Sequence, residues 1–111
     1  TQADARAPGT LLSHYAPHAR LRLLAPDEPI PHPDEGTRCG LVLFKPHPHV
    51  ASYAVTEVLS QDGNLTEAAA NLFAVLRRLD TAGLDTVIVE SVPEQGLGLA
   101  IMDRLRRAAV R

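Results

Sequence analysis

Glu90-Ser91-Val92-Pro93-Glu94-Gln95-Gly96-Leu97-Gly98-Leu99-Ala100 is the stretch whose residue types and spacing come nearest to a ligand cradle. Glycines two apart let backbone approach a ligand closely, and free N–H groups at the positive end of a following helix would hold an anion. Gly96 and Gly98 are therefore a candidate anion site. The pattern is incomplete, however. Gly-Leu-Gly is only a fragment of the dinucleotide fingerprint, which also needs an acidic residue about 20 positions on. Glu90 and Glu94 would in addition repel phosphate. A glycine turn that packs a helix against a sheet accounts for the same residues.

The five histidines, His14, His18, His32, His47 and His49, raise the question of a metal, since neutral imidazole is the commonest metal ligand. In extended chain the i, i+2 pair His47 and His49 points to opposite faces and cannot easily share an ion. No carboxylate or cysteine stands at companion spacing, so no metal site is expected. Cys39 has no histidine partner in a recognisable catalytic arrangement and reads as a small residue entering a strand. Ser13 beside His14 makes no triad, because adjacent side chains in extended chain diverge and no nucleophile elbow is present. No catalytic residue is expected within this chain.

The remaining chemistry-bearing stretch is an arm, Ala7-Pro8-Gly9-Thr10-Leu11-Leu12-Ser13-His14-Tyr15-Ala16-Pro17. Two proline-stiffened points flank His14 and Tyr15. Such a segment is ordered at low entropic cost and can lay a flat aromatic ring and a titratable donor on a partner surface. It could equally pack on its own domain, with Tyr15 as an apolar anchor.

The elements that must position these groups fall into two styles. Eight of the nine prolines lie within the first 48 residues and disfavour long helices there. Residues 1–20 show neither helical nor strand period and read as a linker, with the domain proper over 21–111. Leu21, Leu23 and Leu24 around Arg22 form a short strand that Pro26 stops, and residues 25–38 form a proline- and acid-rich loop. Gly40–Phe44 is a continuous apolar run, the pattern of a strand covered on both faces. Ala54–Leu59 is a weaker strand closed by Asp62-Gly63, and Thr86–Val89 is a fourth. Leu65, Ala69, Leu72, Leu76 and Leu79 draw one stripe down a helix that Asn64 and Glu67 open as a capping box and Gly83 stops. A second helix aligns Leu97, Ile101, Leu105 and Ala108, while Arg104, Arg106, Arg107 and Arg111 complement its dipole. Strand, helix, strand, helix from residue 54 reads as a βαβα unit with neighbouring parallel strands. The fold class expected is α/β, a Rossmann-like three-layer sandwich with a four- or five-stranded, mostly parallel sheet.

Composition sets the outer bounds. A chain of 111 residues holds one domain. With 45% apolar and 22% charged residues it is an ordinary globular sequence, and 16 Ala, 16 Leu and only four aromatic residues make its core aliphatic. One cysteine excludes an internal disulfide and a cysteine-based zinc finger. No apolar run approaches the roughly 18 residues of a membrane span. A net charge of −2 gives no reason to expect nucleic-acid binding. The missing initiator Met and signal pattern suggest a piece of a longer, cytoplasmic protein.

The arm is similar to the interdomain linker of the two-domain threonylcarbamoyl-AMP synthases, the YrdC-type synthase family, whose pattern is Ser/Ala-Pro-Gly-Met/Thr, three residues, then His-Tyr-Ala-Pro. Asn71-Leu72-Phe73 with Leu76-Arg77 resembles the first clear helix of that family's C-terminal domain. Pro93–Ile101 with Arg104-Leu105, Arg107 and Ala108 resembles its last loop and helix. The chain departs from the pattern in Thr10 and Asp103, where Met and Asn are usual, and in having loop 25–38 where relatives often carry a crossover helix.

That resemblance implies a parent nucleotidyltransferase that joins L-threonine, bicarbonate and ATP into threonylcarbamoyl-AMP and pyrophosphate. The product serves the modification of adenosine 37 in tRNAs that read ANN codons, and Mg2+ accompanies the ATP. It implies further that the chemistry resides in an N-terminal YrdC-type domain in cis. Tyr15 would contact the nucleotide, with His14, Gly9 and Pro8 as supporting lid residues. Residues 21–111 would be an accessory domain that positions this lid, inactive alone, with no ATP or Mg2+ bound to it and no direct contact with tRNA. The rival readings are a freestanding nucleotide-binding or protein-interaction module using the Gly96–Gly98 loop, and an assembly domain without a ligand.

Overall fold

Short runs rich in leucine and β-branched residues become four strands, β1 (Arg20–Leu23), β2 (Cys39–Leu43), β3 (Val55–Val58) and β4 (Thr86–Val89). The computed structural model describes residues 19–48, 50 and 52–109. All strand pairs are parallel, in the order β1-β4-β2-β3. The expected βαβα unit is present in sequence order, but its two strands are not neighbours, because β2 lies between β3 and β4. Burial explains the arrangement. Every residue of β2 is buried, as are the last three of β4, and such strands belong where both faces are covered. The half-exposed β1 and β3 take the edges.

Helices α1 (Leu65–Asp80) and α2 (Leu97–Ala109) cover one face of the sheet. There Leu21, Val42, Val87 and Val89 meet Leu72, Leu76, Leu79, Ile101 and Leu105, the aliphatic core that the periodicity predicts. The inward stripe of α2 is Gly98, Ile101, Met102, Leu105 and Ala108. Leu97 lies outside it at 45% exposure, contrary to the expected alignment. Gly98 takes the inward position of the first turn, which leaves Leu97 and Leu99 about 100° to either side.

Among the described residues the opposite face is covered by connections and no helix. Leu24, Leu41, Leu43 and Ile88 are covered by Ile30 from the proline-rich loop and by Val50 and Tyr53 from the connection between β2 and β3. The Tyr53 hydroxyl donates to the Pro31 carbonyl and ties these two connections together. Prolines suit this role because they lower the entropy lost when such a loop is ordered.

The ends of α1 are held by named side chains. Asn64 Oδ1 accepts from the Glu67 N–H at 2.9 Å, as a capping box requires. The return half of the box passes through Ser60, whose Oγ accepts from the Asn64 N–H at 2.8 Å and donates to Glu67 Oε1 at 2.5 Å. After Thr81, Gly83 turns the chain at φ 70°, and the Arg38 guanidinium donates to the Ala82 and Gly83 carbonyls, both at 3.1 Å. In α2, Arg106 and Arg107 pair with Glu94 and Asp103, and Arg104 lies over the Phe73 ring, so these cations hold side chains as well as meeting the helix dipole.

Candidate functional site

In a parallel sheet, the loops beyond the carboxyl ends of the strands collect ligands where neighbouring connections diverge. Here the ends of β1, β4 and β2 meet around Glu90. Its N–H donates to the Val42 carbonyl at 2.9 Å, continuing the pairing of β4 with β2 by one residue. Its carboxylate is fixed twice, by the Phe44 N–H at 2.8 Å and by His47 Nε2 at 2.6 Å. Beside it lies a cavity of about 290 Å³ lined by residues including Phe44, Lys45, Ser91 and Pro93. The Ser91 hydroxyl donates to the Leu24 carbonyl, which ties the end of β4 to the end of β1 and commits that proton. The arrangement therefore offers a positioned carboxylate and imidazole with an ammonium nearby. It suits polar recognition, while Ser91 is not poised as a nucleophile.

The Gly96–Gly98 turn follows directly. Gly96 adopts φ 56°, a left-handed conformation that favours glycine. At Gly98 the constraint is contact, because an added Cβ would stand 1.7 Å from the Pro93 carbonyl oxygen. The Gly98 N–H donates to the Gln95 carbonyl at 2.9 Å and the Leu99 N–H to the Gly96 carbonyl at 3.1 Å. Two of the amides that an anion would use thus close the turn itself. The Glu94 carboxylate is held by Arg106 at 2.8 Å.

Pro8, Gly9, His14 and Tyr15, the residues singled out in the arm, lie outside the described residues, as do Ser13, His18 and His49. His47, considered above as a metal ligand, instead meets Glu90. Among the described residues no three His, Cys, Asp or Glu side chains converge as a metal site would need. Cys39 is buried at the start of β2, with its Sγ 3.8 Å from the Thr37 hydroxyl. The pairing of His47 with Glu90 was not foreseen. The two are 43 residues apart and meet because β2 and β4 are neighbours, which no local spacing encodes. The usable signal was their common place just beyond the ends of buried strands.

The family model "Threonylcarbamoyl-AMP synthase, C-terminal domain" matches residues 1–110. The threonylcarbamoyl-AMP synthase of Pyrococcus abyssi is 35% identical over 115 residues, which span 95% of this chain and 32% of that protein. That of Bacillus subtilis is 35% identical over 109 residues, 93% of this chain and 32% of that protein. The chain therefore spans about a third of the length of these relatives. A solved structure of Pyrococcus abyssi Sua5, a variant with adjacent His and Tyr both replaced by Ala, superposes with a TM-score of 0.58 at 36% identity. It covers 68% of this chain and 21% of that one.

Proposed function

The chain belongs to the family of threonylcarbamoyl-AMP synthase C-terminal domains, and from that premise we propose that it is the accessory module and active-site lid of such a synthase. The parent would join L-threonine, bicarbonate and ATP into threonylcarbamoyl-AMP with release of pyrophosphate. That product would feed the modification of tRNA adenosine 37 in the cytoplasm. The observation that carries this reading is the extent of the match. It includes the Pro-Gly and His-Tyr-Ala-Pro arm and runs to residue 110, yet spans only 32% of the length of the full synthases. The reaction then belongs to the N-terminal YrdC-type domain in cis, which binds ATP, threonine and bicarbonate.

Mg2+ would accompany the ATP in that domain. His14-Tyr15 is the only His-Tyr step in this sequence, and the solved relative is a variant in which a His-Tyr step is replaced. In this reading Tyr15 closes over the bound nucleotide. His14, Gly9 and Pro8 shape the approach, and the lid keeps water from a mixed anhydride that hydrolyses readily. Residues 21–111 anchor the lid and make no contact with tRNA.

A direct assay tests the division of labour. The purified 111-residue chain, given L-threonine, bicarbonate, ATP and Mg2+, is expected to release no pyrophosphate above background. Clear turnover would place the chemistry in this domain and end the reading.

A further inference from the structure

The sheet face opposite the helices holds a second cleft, of about 250 Å³, whose lining includes Arg20, Pro31, His32, Asp34, Thr86 and Ile88. Its construction follows from strand register. Arg20 pairs with Thr86 and Arg22 with Ile88, and alternation along the strands sends all four away from the helix-side residues Leu21 and Val87. The proline-rich loop roofs this face and is pinned there by the Tyr53 bond to Pro31.

The charges in the cleft are unequally committed. Arg22 also lines it but is paired with Glu28, whose other oxygen accepts from the Ala25 N–H at 3.0 Å. Among the described residues the Arg20 guanidinium has no ion pair or hydrogen bond. The Asp34 carboxylate has none either, since only its backbone carbonyl is used, by Thr37. One uncommitted cation and one uncommitted anion therefore border a floor that is partly apolar at Ile88. A free phosphate would satisfy Arg20 and be repelled by Asp34, and a simple amine would meet the reverse. The volume lies below the roughly 300–1,000 Å³ of sites for larger organic ligands, so the occupant is small.

We propose that this cleft binds a small free α-amino acid, its carboxylate on Arg20 and its ammonium on Asp34. The inference does not depend on the lid reading, because both groups belong to this chain and binding is measured without the parent's activity. Both side chains are exposed, so the ion pairs are partly screened and the expected dissociation constant is on the order of 1 mM.

The experiment is a two-dimensional NMR titration of the 111-residue chain, following the Thr86 and Ile88 amides. L-Alanine, L-serine and L-threonine are the probes. Propionate and ethylamine, each lacking one charged group of alanine, are the controls, together with inorganic phosphate. Saturable shifts are expected with at least one of the amino acids, and binding of propionate and ethylamine about tenfold weaker or less, the equivalent of 1.4 kcal/mol. Arg20→Gln and Asp34→Asn should each weaken the amino acid about tenfold with the rest of the spectrum unchanged. The controls on the unsubstituted chain keep the test decisive even if a variant misfolds. Absence of saturable shifts with all three amino acids would overturn the proposal. So would propionate or phosphate binding as tightly as the amino acid, which would make the cleft a simple anion site.

Discussion

At Gly98 the absence of one methyl group lets the first turn of α2 lie directly against the Pro93 carbonyl. Backbone cannot retreat as a side-chain tip can, so Gly98→Ala should cost about 1–3 kcal/mol or more through overpacking. Gly96 meets nothing within 4 Å of an added Cβ, and its demand comes from φ alone. Gly96→Ala should therefore cost less, about 1–2 kcal/mol. Urea unfolding of both variants checks the ranking, and a Gly98→Ala protein as stable as the parent chain would refute the close approach. The same two residues show how far a single stretch of sequence can be read. Gly-x-Gly before a helix announces backbone freedom and close contact, but the same letters serve an anion or a carbonyl. Here the carbonyl of Pro93 fills the space. At Glu90 the limit is different, because its partners Phe44 and His47 come from another strand's end and become adjacent only once the sheet is assembled.

At the scale of elements, apolar spacing located both helices and all four strands of the described residues, since period and burial go together. Leu76, 3% exposed in the stripe of α1, shows the energy at stake. Leu76→Ala should cost about 2–5 kcal/mol in chemical denaturation. Spacing says nothing of which strand lies beside which, and that is where βαβα adjacency failed. The relative apolarity of β2 and β4 was the better guide to their central places. A bidentate contact closes the edge, with Arg78 on α1 donating to both oxygens of Glu57 on β3, each at 2.9 Å. The Arg78 hydrogen bonds hold the Glu57 carboxyl below its usual range, against the opposing effect of burial. A carboxyl lowered in the folded state adds stability above the unfolded value of about 4.3, and that stability is lost as pH falls through the lowered value. Acid unfolding should show this loss. Arg78→Ala should make stability less steep in the same window while leaving the pH above it nearly flat. An unchanged acid slope would show that the contact contributes nothing to folding.

For the whole molecule, the sequence conveyed the α/β class, because strand and helix periods alternate along the chain, while Ala19 and Arg20, read as linker, join the core and the first strand. It also suggested that loop 25–38 stands in place of a crossover helix, and that loop indeed covers the second sheet face through Ile30. The occupant of each surface was less legible, since surface chemistry depends on side chains brought together from distant segments. The chain spans about a third of the length of its relatives. In the function we propose, the remaining length would carry the reaction and this chain would supply the cover, with Tyr15 where the two meet. The lid role of Tyr15 is read out in the complete synthase by measuring ATP affinity and threonylcarbamoyl-AMP synthesis for Tyr15→Ala, with Tyr15→Phe beside it. A lid tyrosine predicts a folded enzyme that holds ATP about tenfold more weakly or worse, a loss of at least about 1.4 kcal/mol, and that synthesises adenylate more slowly. Tyr15→Phe should keep near-parent activity if the ring covers the nucleotide by stacking, and should fall with Ala if the hydroxyl bond carries the contact. Tyr15→Ala enzyme that makes adenylate at the parent rate with unchanged ATP affinity would show that Tyr15 is no part of a lid.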